Sequence, residues 1–125
     1  MVLGNHPRCS GGWGHECQKP SEGKEPFDRR SINLEPEDLA LLKEVHQNNR
    51  NTVFILQASF PYAINWANEN IASIIYIAHG GQETGRALAQ VLFGDYSPAG
   101  RLSTTWYKSL DQLPPKTDYD IIKGE

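Results

Sequence analysis

Two short apolar runs restrict what this chain can fold into more than anything else in it. Thr52-Val53-Phe54-Ile55-Leu56-Gln57 is continuous, apolar and rich in β-branched residues, and residues 71–78 repeat the pattern. Neither alternates with polar side chains. A strand with no polar face has to be covered on both sides, which is the condition of a parallel sheet flanked by helices. Met1-Val2-Leu3-Gly4 reads as the last residues of a third strand.

Helical signals fill the gaps. Pro36 suits a first helical position, where its missing N–H costs nothing, and Glu35, Glu37 and Asp38 set negative charge at the positive end of the dipole. Leu39, Leu42 and Val45 recur at helical spacing, so a helix is predicted over 36–46. Asn48-Asn49-Arg50-Asn51 reads as a polar turn. A short helix is expected over 61–68, with Ala63, Ile64 and Ala67 apolar. Another is expected over 82–93, with Ala87, Leu88, Val91 and Leu92 facing inward. Gly85 and Ala89 would let that helix lie close to the sheet, and Gly94 is a natural stop. The order strand, loop, helix, strand, helix, strand, helix predicts an α/β fold, a partial three-layer sandwich with a mainly parallel sheet and right-handed crossovers. A doubly wound sheet normally has about five or six strands. The strand set is therefore incomplete, and missing strands should cover apolar surface left on this one. The whole chain, 1–125, reads as one partial domain: a long acidic loop over 5–34, an α/β core over 35–94 and an irregular segment over 95–125.

Charge and length narrow the function. Twelve Lys and Arg against fifteen Asp and Glu give a net charge of −3. With no basic run there is no cationic face to displace counterions, which argues against nucleic acid as a partner. The longest near-apolar run has eight residues. A bilayer span takes roughly 18 or more, so no membrane partner is expected. No signal peptide is visible. Hydrophobic residues make up 38% of the chain, enough for one modest core.

Several clusters carry possible chemistry. Gly80-Gly81-Gln82-Glu83-Thr84-Gly85-Arg86-Ala87 follows a strand and opens a helix, nearly as a phosphate-binding loop does. Arg86 stands where that loop has lysine and Ala87 where it has the magnesium-binding hydroxyl, so the expectation is a tight turn. On this ground a stand-alone nucleotide-binding domain is the weakest of the function classes. His6, Cys9, His15 and Cys17 are possible zinc ligands. The single residue between His15 and Cys17 makes joint chelation awkward, and a disulfide or two free thiols fits better. Ser59 lacks the glycines of a nucleophile elbow, so neither it nor His79 is expected to act in a hydrolase triad. Residues 21–30 hold Glu22, Glu25 and Asp28 beside Phe27, Arg29 and Arg30. A carboxyl near apolar side chains keeps its proton to higher pH and can donate it. The plainer alternative is a solvated loop in which Asp28 pairs with Arg29 or Arg30.

Three segments resemble one family. Val91-Leu92-Phe93-Gly94-Asp95-Tyr96-Ser97-Pro98-Ala99-Gly100-Arg101-Leu102 closely resembles the hallmark "vLFGDyNPaGRLp.T" of the C-terminal α/β-sandwich domain of glycoside hydrolase family 3. Ser109-Leu110-Asp111-Gln112-Leu113-Pro114-Pro115 is similar to the segment that follows it. Glu25-Pro26-Phe27-Asp28-Arg29 is similar to the family's "E-G-x-D-R".

The resemblance implies a retaining exo-acting β-glycosidase of the β-glucosidase or β-xylosidase type. Its substrate would be an oligosaccharide or aryl glycoside, and it calls for no cofactor and no metal. Such enzymes use two carboxyl groups roughly 5–5.5 Å apart. In this family the nucleophilic aspartate lies in an N-terminal (β/α)8 barrel, and in many members the acid/base glutamate lies on a loop of the sandwich domain. Glu25 matches that glutamate, although Pro26 stands where glycine is usual; Glu22, followed by Gly23, is the alternative. Asp28 and Arg29 would brace the loop, and Arg101 would pair locally, with Asp95 as the expected partner.

The barrel is absent from the sequence, as are the first strands of the sandwich and the "GrTY" continuation. The resemblance therefore implies a fragment of a longer enzyme, inactive without the barrel. Export to the periplasm or outside the cell is compatible with that family. A non-catalytic carbohydrate-binding or domain-packing module is the competing reading.

Overall fold

The computed structural model describes residues 1–4, 29–115 and 117–119. In chain order the elements are β1 (Val2–Gly4), α1 (Pro36–Asn48), β2 (Val53–Gln57), α2 (Asn65–Asn70), β3 (Ser73–Ile77) and α3 (Thr84–Leu92), followed by a 3-10 turn at Leu110–Gln112. The three strands form one sheet in the order β1-β2-β3, and both pairings are parallel. This is the α/β fold that the strand runs predict, with an incomplete strand set.

One face of the sheet is closed. Phe54 and Leu56 point to it from β2 and are fully buried. Leu42 of α1 and Ala67 of α2 join them, with Leu34, Ala58 and Ile71, in a single apolar cluster. Register puts Ile74 and Tyr76 of β3 beside Phe54 and Leu56, and both pack on the cluster. Each fully buried Phe or Leu side chain contributes about 1.5–3 kcal/mol relative to exposure. The opposite face is less complete. Ile55 is buried there, but Val2, its partner across the β1–β2 pairing, is 55% exposed.

The local chemistry explains the helix and strand ends. Pro36 opens α1, and Glu35 before it is held extended, as a residue preceding proline is. The helix runs two residues past the expected 36–46, because Asn48 Nδ2 donates to the Glu44 carbonyl and Asn49 N–H to that of Val45. The polar turn follows: Asn51 N–H bonds Asn49 Oδ1 at 2.9 Å, and the Thr52 hydroxyl donates to the Asn49 carbonyl. Gly94 has φ +84° just past α3, the left-handed stop its position suggests.

Four expectations are corrected. The helix expected over 61–68 begins only at Asn65. Ala63 N–H bonds the Ile32 carbonyl at 2.7 Å, and Asn33 and Ala63 form an isolated parallel bridge, so a long-range pairing holds 61–64 out of the helix. The same pairing draws in the end of the long loop, and Leu34 is buried in the core. The strand expected over 71–78 is Ser73–Ile77 and only half-buried, because Ile71 N–H still caps α2 on Ala67 and β3 is a sheet edge. Helix α3 buries no side chain: Ala87 and Leu92 are exposed. A Cβ on Gly85 would meet nothing within 4 Å, so that glycine serves no close approach.

Candidate functional site

In a parallel sheet, side chains and loops that bind ligands gather at the carboxyl ends of the strands. At this edge β2 ends at Gln57 and runs into the turn 58–64, and β1 ends at Gly4, paired with Gln57. Gly4 has φ +154°, and a Cβ there would overlap the Gln57 carbonyl. Only glycine lets β1 leave the sheet this close to its neighbour.

Arg29 reaches the same edge from the other side of the acidic segment. Its Nη1 donates to the Pro61 carbonyl at 2.6 Å. Its guanidinium carbon lies 3.8 Å from the centre of the Phe60 ring and 5.5 Å from that of Tyr62. The two rings contact each other at 5.4 Å. A guanidinium over an aromatic face is attracted by the ring quadrupole, and the planar fork leaves an N–H for the carbonyl at its rim. Burial raises the Tyr62 phenol above its ordinary value near 10; Arg29 opposes the rise, while Glu35 and Asp38 add to it.

The segment after the hallmark block returns to this edge. Tyr76 Oη donates to the Ala58 carbonyl at 2.9 Å, and its ring meets Trp106 edge-on at 5.0 Å. Asn65 Nδ2 donates to the Lys108 carbonyl at 2.9 Å. The carboxyl edge thus collects the end of β1, Arg29, the turn 58–65 and residues 106–108.

Of the loop residues expected from sequence, Arg29 is described, and its guanidinium sits on the 60–62 turn. Glu22, Glu25 and Asp28 lie outside the described residues, as do His6, Cys9, His15 and Cys17. The 80–87 segment is a turn into α3: Thr84 Oγ1 donates to the Gly81 carbonyl at 2.7 Å, and Arg86 pairs with Glu83 at 3.5 Å on the surface. Arg101 does not pair with Asp95. Its Nη1 donates to the carbonyls of Ala99 and Gly100, which lie closer along the chain. Ser59 and His79 are exposed. Phe60 and Tyr62 were missed by the sequence reading. The signal was present as two aromatics flanking a proline just after a buried strand.

Comparison with known proteins agrees with the resemblance. The family model for the glycosyl hydrolase family 3 C-terminal domain matches residues 5–124. The chain is 35% identical over 108 residues to a xylan 1,4-beta-xylosidase of Xylanibacter ruminicola, covering 86% of this chain and 12% of that protein. It is 36% identical over 105 residues to a beta-glucosidase of Rhizobium radiobacter, covering 84% of this chain and 12% of that protein. A beta-xylosidase of Formosa agariphila is 32% identical over 87 residues, 70% of this chain and 12% of its own length. The chain thus spans about an eighth of the length of the curated relatives it matches. No solved structure matches it significantly. With an α/β sheet, the hallmark block after α3 and a match that runs almost end to end, the chain belongs to the glycosyl hydrolase family 3 C-terminal domain family.

Proposed function

We propose that this chain is the acid/base-bearing part of a retaining exo-acting β-glycosidase acting on β-linked xylosides or glucosides. The observation that carries the reading is the placement of the described residues flanking the acidic segment. Gly4 on one side and Arg29 on the other both sit at the carboxyl edge of the sheet. The relatives' names, xylosidase and glucosidase, support the substrate class.

In this reading Glu25, with Glu22 as the alternative, gives its proton to the glycosidic oxygen as the bond from that oxygen to the anomeric carbon breaks. An aspartate of an N-terminal (β/α)8 barrel forms an ester with the same carbon. The glutamate, now a carboxylate, takes a proton from water, and the water oxygen displaces the aspartate. The sugar comes off with its anomeric configuration retained. The barrel aspartate is the partner this mechanism requires, so the 125-residue chain alone does not turn over an aryl β-xyloside or β-glucoside.

The test is a chimera in which residues 5–124 replace the matching segment of the Xylanibacter xylosidase. Glu25→Gln is expected to lower kcat on phenyl β-xyloside by about 10²–10⁴-fold, the usual worth of a positioned proton donor. The same loss on Glu22→Gln, with Glu25→Gln unaffected, moves the role to Glu22. Full activity in both variants returns the chain to the non-catalytic reading.

A further inference from the structure

We draw no further inference here: the strongest candidate, the exposed apolar surface patch of Leu92, Phe93, Tyr96 and Leu102 at the end of α3 and along the segment after it, carries nothing, because nothing in the structure shows what covers it.

Discussion

Helices α1 and α3 make the useful comparison, because their sequences promise the same thing and their surroundings deliver opposite outcomes. Leu39, Leu42 and Val45 of α1 and Leu88, Val91 and Leu92 of α3 are apolar at helical spacing. In α1 the stripe meets β2 and α2, so Leu42 is fully buried and His46 nearly so, its ring edge-on to Trp66. In α3 no residue is buried, and Leu92 and Phe93 stand 41% and 84% exposed. Periodicity says which face of a helix needs cover; it does not say that the cover is present. The closed face is covered by residues of this chain's own α1 and α2, while the α3 region carries the hallmark block and an uncovered apolar surface. In relatives of which this chain spans 12%, further polypeptide is available to cover it.

The largest effect should come from the closed face. Phe54→Ala leaves a cavity at the centre of the cluster and is expected to cost about 3–5 kcal/mol, a large share of an ordinary domain's stability. Urea unfolding of the chain measures it. A loss below about 1 kcal/mol would mean that the α1–β2–α2 layer is not the stable half.

Next comes Gly4→Ala, at the seam between the sheet and the acidic segment. A Cβ overlapping the Gln57 carbonyl, on a backbone at φ +154°, forces β1 away from β2. About 1–3 kcal/mol should be lost in the same urea experiment. Retention of full stability would show that β1 contributes little to the closed face.

A smaller and pH-selective effect is expected at Tyr62. Its phenol is raised above 10 in the folded chain, chiefly by burial, so at alkaline pH the folded state holds a proton that the unfolded state has released. Folding stability from this group is therefore intact below pH 10 and declines as pH rises through the folded value. Tyr62→Phe should flatten that alkaline decline and leave neutral stability nearly unchanged. An identical slope above pH 10 in both proteins removes Tyr62 from the account.

The sequence was informative wherever one segment decides its own state. The unbroken run in β2, Pro36 at the start of α1 and Gly94 after α3 each carry their reason locally, and the parallel α/β class follows from them. It failed where the partner is distant. Nothing near Ala63 announces Ile32, and nothing near Arg29 announces Pro61, which is 32 positions away. The acidic residues Glu22 and Glu25 were legible only as carboxylates in an aromatic-bearing loop and through resemblance to a family. Chemistry of that kind depends on what faces it, and in the proposed reading much of that face belongs to a barrel outside these 125 residues.

The smallest effect sharpens the comparison most. Phe93 is 84% exposed at the end of α3, so Phe93→Ser in the 125-residue chain should change stability by no more than about 0.5 kcal/mol. The same substitution in the xylosidase chimera, where the rest of the polypeptide is present, should cost about 1–3 kcal/mol if the α3 surface is covered there. Thermal or urea unfolding of the two pairs gives the difference directly. Equal small effects in both settings would mean that Phe93 stays in water even in the whole enzyme. The apolar residues after α3 would then serve something other than the domain's own core, and the contrast between α1 and α3 would reflect the design of this region rather than its missing neighbours.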